Sequence, residues 1–156
     1  MKYAQDMNFW DTRVSIEKST VDIAQMLKQH EAKNVGSIYY DDANKLMIQF
    51  EWLGRDYQMV FYPIAPCYST GRKSISALDK QAIRQMGRVA LNFIKASLQL
   101  AMSKQNVGLM ASFEMLPGGT TIQQSAPNGV MAFLHDTQDG RLALPEAEMV
   151  EAEIME

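Results

Sequence analysis

Residues 76–104, SALDKQAIRQMGRVALNFIKASLQLAMSK, decide how the rest of the chain is arranged. Ile83, Met86, Ala90, Phe93, Ile94, Leu98, Ala101 and Met102 recur at three- and four-residue steps. At 3.6 residues per turn they line one broad apolar face, which predicts a single long helix packed on a core. Ser76 followed by Asp79 has the S-x-x-D form of a helix start: the hydroxyl accepts from the first free N–H groups, and the carboxylate favours the positive helix end. Gly87 weakens the helix interior by about 1 kcal/mol relative to Ala. A glycine there predicts a close approach of a neighbouring element.

A second pattern runs along the same helix. Lys80, Arg84, Arg88 and Lys95 project within a sector of roughly 80°, forming a basic stripe about four turns long. Arg72 and Lys73 lie just upstream in the loop STGRKS, and Arg55 lies upstream of that. From Arg55 to Lys104 there are eight Lys or Arg against two Asp. Such a stripe can follow a phosphate backbone through point-charge contacts that do not read sequence. The same spacing also fits a solvated helix face.

The chain of 156 residues has room for one domain with one core. No run of about 18 apolar residues is present, which excludes a transmembrane helix. The opening MKYAQDMNFWDTR lacks an apolar h-region, so the reading is of a cytoplasmic chain without a signal peptide. Cys67 is the sole cysteine and has no partner for an intramolecular disulfide. The net charge of −3 hides an asymmetry, because residues 136–156 hold seven acids against Arg141. A mildly basic body is therefore followed by an acidic tail, and the expected division is a domain over 1–140 and a mobile tail over 141–156.

The remaining elements fall on either side of the Lys45–Leu53 alternation. Leu46, Ile48, Phe50 and Trp52 share one face there and Met47, Gln49, Glu51 and Leu53 the other, as in a half-buried antiparallel strand. Val35–Tyr40 precedes it across the Asp41–Asn44 turn, and Asp56–Tyr62 follows a reversal at Gly54–Arg55. Before the strands, Ser19 and Asp22 repeat the S-x-x-D start, with Ile23, Met26, Leu27 and His30 on a face and Asn34 and Gly36 as the stop. Arg13–Ile16 reads as a short strand, and Phe9 and Trp10 as apolar groups folding back onto the domain. After Lys104, Leu109–Leu116 fits helix or strand. Thr120–Gln124 and Val130–Leu134 fit a hairpin, with a short helix after Thr120 as the alternative.

The order is thus helix, three-stranded antiparallel meander, long amphipathic helix and a short irregular or hairpin C-terminal part: an α+β fold with helices on one sheet face. Tyr40, Gln49, Glu51, Gln58, Val60 and Tyr62 belong to the open face. His30 and His135 are the only histidines, and no metal-ligand spacing, G-x-S-x-G, P-loop or G-x-G-x-x-G occurs. No cofactor and no catalytic residue is therefore assigned, and Asp41–Asp42 is read as turn chemistry.

Residues 19–63 resemble the front half of an uncharacterised family of small proteins carried by phages and other mobile elements. That family pairs a helix of the form E-K-S-x-x-x-I-x-x-x-L with a strand ending G-R-x-[VM]-x-F-x-x-P. The residues that carry the likeness are Glu17, Lys18, Ser19, Ile23 and Leu27, and, in the same order but at longer spacing than the strand pattern, Gly54, Arg55, Phe61 and Pro63. RQMGRVALNFIKASL is similar to its second block, through Arg84, Arg88, Ala90, Leu91, Ile94, Lys95 and Leu98, while Gly87 stands where members often carry an aromatic residue. The likeness covers roughly residues 14–120. It implies provenance in a mobile element rather than an activity. The helix–strands–helix order also parallels the double-stranded-RNA-binding domain, an analogy of topology.

The sequence therefore leads to a non-enzymatic nucleic-acid-binding accessory protein, contacting single- or double-stranded nucleic acid through Arg55, Arg72, Lys73, Lys80, Arg84, Arg88 and Lys95. The acidic tail would compete for that surface or recruit a protein partner. The rival reading is a protein-interaction module that modulates a host factor, in some cases as a homodimer, motivated by 12 Met and an open sheet face.

Overall fold

The computed structural model describes residues 2–105, 107–116, 119–121 and 124. Its elements are α1 (Ile16–Gln29), β1 (Lys33–Tyr40), β2 (Lys45–Trp52), β3 (Arg55–Phe61), α2 (Ile75–Met102) and α3 (Val107–Ala111). The strands form an antiparallel meander in the order β1-β2-β3. This is the expected α+β arrangement of helix, three-stranded sheet and long helix.

The alternation in β2 sets the core. Leu46, Ile48, Phe50 and Trp52 are buried, and across β3 they meet Phe61, Met59, Tyr57 and Arg55. Phe50 and Tyr57 stack with ring centroids 5.5 Å apart. Trp52 lies opposite Arg55, so the connection is the two-residue turn Leu53–Gly54, with φ of 51° and 77°. Both central residues are left-handed, as a type I′ hairpin turn requires. The reversal thus falls one residue earlier than the Gly54–Arg55 expected from the glycine.

Both helices also begin earlier than their S-x-x-D signals. Ser15 caps α1 by accepting from Lys18 N, and Ser74 caps α2 by accepting from Ala77 N, each at 3.2 Å. Arg13–Ile16 is consequently no strand: Ile16 is the first residue of α1 and packs into the core. Ser19, expected as a cap, lies inside α1 and is fully buried. At the other end α1 stops before Asn34 and Gly36. His30 is the cap, its Nδ1 2.9 Å from Met26 O, and Glu31 turns the chain out at φ 65°. Asn34, at φ 52°, belongs to an irregularity of β1 between Lys33 and Gly36.

α1 and α2 lie side by side over the inner sheet face, where Ile23, Met26 and Leu27 join Met86, Ala90, Ile94 and Leu98 around the buried strand residues. On the open face Tyr62 is 64% exposed, while Tyr40, Gln49, Glu51 and Val60 are half-buried. Gln58 is the exception and is buried. Its strand edge is covered: Gln58 N donates to Phe113 O (2.9 Å) and Met115 N to Asp56 O (2.8 Å). Residues 107–111 are helical, and Glu114 and Met115 then form isolated bridges to Tyr57 and Thr121. The expected Val130–Leu134 strand and the acidic segment 141–156 lie outside the described residues. No described helix is long and apolar enough to cross a membrane.

The N-terminal arm folds back, as its apolar residues suggested, but polar groups hold it. Gln85 is fully buried on α2 and donates to Ala4 O (2.8 Å) and Asn8 O (2.9 Å). One turn earlier, Gln81 donates to the carbonyls of Trp10 and Thr12. Gln5 bonds both backbone groups of Cys67, and Ala4 N reaches Ala65 O. The arm is thereby tied to α2 and to the loop after β3.

Candidate nucleic-acid interface

The stripe predicted along α2 is divided by the tertiary structure. Arg88 turns toward α1, where its Nη2 lies 2.6 Å from Asp22 Oδ2 and its Nε donates to Ser19 Oγ at 3.1 Å. Its side chain is only 16% exposed. The reason is the neighbouring Gly87, which lets α1 approach so closely that Ser19 and Asp22 come within reach of the guanidinium. Lys18 shares Asp22 at 2.8 Å. Lys18 first and Arg88 second hold the Asp22 carboxyl below its ordinary value, the charged form being stabilised by donors on both sides. Arg88 is thus an interhelical clamp.

Lys80 and Arg84 remain exposed, separated by about 6 Å of helix rise. Neither makes an ion pair with another described residue; Arg84 has only a long contact of 3.4 Å to Gln81 Oε1. Arg72 and Lys73 are also exposed and follow Gly71, which takes the left-handed conformation at φ 70°. That loop runs directly into the Ser74 cap, so its cations sit beside the positive end of α2. Tyr68 and Ile75 are exposed at the same end. Asp79 is engaged there by the Tyr68 hydroxyl at 2.6 Å, which raises the phenol pKa.

Lys95 is exposed but lies about 16 Å of helix rise beyond Arg84. Arg55 is exposed at the start of β3, the far end of that strand from the loop that leads to α2. It pairs with Glu114 at 2.9 Å, which raises its pKa. Arg72, Lys73, Lys80 and Arg84 are thus exposed in the loop before α2 and along its first ten residues, Lys95 lies farther along the helix, and Arg55 and Arg88 are committed to carboxylates. Among the described residues no group of three or more His, Cys, Asp or Glu is placed to hold a metal ion.

Sequence reasoning missed Asp22 as the partner of Arg88 and missed the glutamine clamp. A signal for the clamp existed. Leu78, Ala82 and Gln85 follow at four- and three-residue steps and form a second buried sector confined to the first half of α2. A glutamine in such a sector must find backbone partners once water is excluded.

The chain matches no family model, no curated protein and no solved structure.

Proposed function

We propose that this protein binds nucleic acid without catalysing a reaction, as an accessory protein of a phage or other mobile element. The observation that carries the reading is the cluster Arg72, Lys73, Lys80 and Arg84, four exposed cations around one helix start with no acidic partner among the described residues. Phosphate oxygens satisfy such cations, and the positive helix end adds to the attraction. Contacts of this kind go to the phosphate backbone and position the protein without reading sequence.

Four phosphate contacts correspond to a slope of log Kobs against log salt of roughly −3 for single strands and nearly −4 for duplex, or about a hundredfold loss of affinity from 50 to 200 mM salt. The test is fluorescence anisotropy with labelled single- and double-stranded DNA and RNA across a salt series, comparing wild type with K80E/R84E. The variant should bind far more weakly and with about half the slope. Arg88 is left intact, because reversing it would break the clamp on Asp22 and confuse lost folding with lost binding. Wild-type binding that ignores salt, or that survives K80E/R84E, overturns the proposal. Removing residues 145–156 should strengthen binding if the acidic tail competes for the same surface.

A second reading has its own observation. Met7 and Phe9 are exposed on the arm and border a groove with Ile64, Val89 and Phe93. An apolar groove suits a protein partner. M7D/F9D variants that keep nucleic-acid binding separate the two surfaces.

A further inference from the structure

We infer that two copies of this chain associate through the outer edge of β1, joining two three-stranded sheets into one continuous sheet about a two-fold axis at Ser37. The opposite edge of the sheet fixes the direction of its backbone groups. Gln58 N and Asp56 O bond outward to Phe113 and Met115, so the backbone groups of Gln58 point away from β2. In an antiparallel ladder these directions alternate along and across strands. Gln49, opposite Gln58, therefore turns toward β1, and Gly36, opposite Gln49, turns toward β2. The N–H and C=O groups of Ser37 and Tyr39, and by the same alternation Val35, point off the free edge of β1. No described backbone group outside the sheet bonds them. β3 is covered by residues 113–115, whereas β1 presents an open row of donors and acceptors, the feature that invites strand addition.

The side chains along that edge favour a second copy as the strand that adds. Antiparallel self-pairing centred on Ser37 sets Val35 opposite Tyr39 of the second copy, both edge-facing in their backbone groups and both packed toward the inner face. It sets Ile38, 48% exposed, over Gly36 of the second copy, where no Cβ opposes it. It also carries Lys33 of each copy to the Asp41–Asp42 turn of the other, and all three residues are exposed. The irregularity at Lys33–Gly36 limits the regular pairing to about six backbone hydrogen bonds. That edge alone is small for a stable interface.

The flank of α1 supplies the rest. Asp22, Ser19 and Lys18 mark the side of α1 toward α2. On the helical wheel Thr20, Ala24, Glu17, Lys28 and Val21 occupy the side away from it, within a sector of about 100°. α1 packs against β1 as well as α2, which places this flank on the β1 side, and Glu17 adds to burial and Asp41 in raising the Tyr39 phenol pKa. Val21 is 50% exposed there. A two-fold through the sheet runs the two α1 helices antiparallel, so that Val21 meets Ala24 and Glu17 meets Lys28 of the second copy. The edge and the flank thus show the same complementarity under the same symmetry.

Sedimentation equilibrium of the full chain tests this. Wild type should show a monomer–dimer equilibrium. Ser37→Pro removes the central N–H, which has no partner among the described residues, and should shift the chain to monomer. Val21→Glu is at an exposed position, leaves the strand untouched and should weaken the dimer in its own right, so the test survives if the proline variant misfolds. Lys33→Asp and Asp41→Lys should each weaken association and together restore it. A wild type that is monomeric at its highest soluble concentration overturns the inference. So does a dimer unaffected by Val21→Glu and by both single charge changes.

Discussion

Gly87→Ala tests the closest contact in the fold. A methyl carbon built at Gly87 lies 2.7 Å from Ser19 Cβ, 2.8 Å from Ser19 Oγ and 3.1 Å from Ile16 Cδ1. Carbon–carbon contacts are favourable at about 3.5 to 4.0 Å, so the helices must part by nearly an ångström. The Ile16 methyl can rotate away, but Ser19 Cβ is bonded to the α1 backbone and can move only with the helix. Overpacking of this kind costs about 1–3 kcal/mol. Against it stands the gain of about 1 kcal/mol from replacing glycine by alanine in a helix interior. Separation also stretches the Arg88 bonds to Ser19 and Asp22, at 3.1 and 2.6 Å. The expected net effect is a loss of about 1–2 kcal/mol, or a fall in Tm of about 2–8 °C. Urea unfolding followed by far-ultraviolet circular dichroism gives the stability, with an unchanged m-value as the control for two-state comparison. Ser19→Gly removes the opposing Cβ, so the double variant should be more stable than the sum of the single effects predicts, by about 1 kcal/mol. A Gly87→Ala protein as stable as wild type, with no coupling to Ser19→Gly, would refute the reasoning that steric contact at this point sets the helix spacing.

Gln85→Leu leaves Asn8 O without its donor and Ala4 O with Met7 N alone, and should cost about 2 kcal/mol, while limited proteolysis should cut the arm between residues 4 and 12 more readily. The loss is moderated because Gln85 Oε1 is itself buried without a partner among the described residues. Asp22, held below its ordinary pKa of 3.8, contributes stability that is present above that value and lost as pH falls through the lower folded-state value. Asp22→Asn should therefore be less stable than wild type at neutral pH, with the gap narrowing in unfolding curves taken below pH 3.8.

Element order was legible because its signals are local. The period-2 alternation of Leu46, Ile48, Phe50 and Trp52 needs no distant partner to declare a strand, and the spacing from Ile83 to Leu98 declares a helix in the same way. Helix starts were less legible because serine recurs nearby: Ser15 and Ser19, and Ser74 and Ser76, are competing caps. Burial of Ile16 and Ser19 against α2 draws α1 out to Ser15, a choice that no local window contains.

The division of the basic stripe was decided at longer range. By angle, Arg88 belongs with Lys80, Arg84 and Lys95, since all four share one sector of the helix. Gly87 alone hinted at a neighbour, without saying which residues that neighbour carried. Only the packed structure sets Asp22 beside Arg88, 66 positions away in the chain, and Asn8 beside Gln85, 77 positions away. Sequence by itself determined the fold class, the sheet's buried face and the helix that bears the cations. Tertiary structure decided which cations remain unpaired, because a charge is claimed by whichever carboxylate packing brings within a few ångströms, and that distance is not encoded by spacing along one helix.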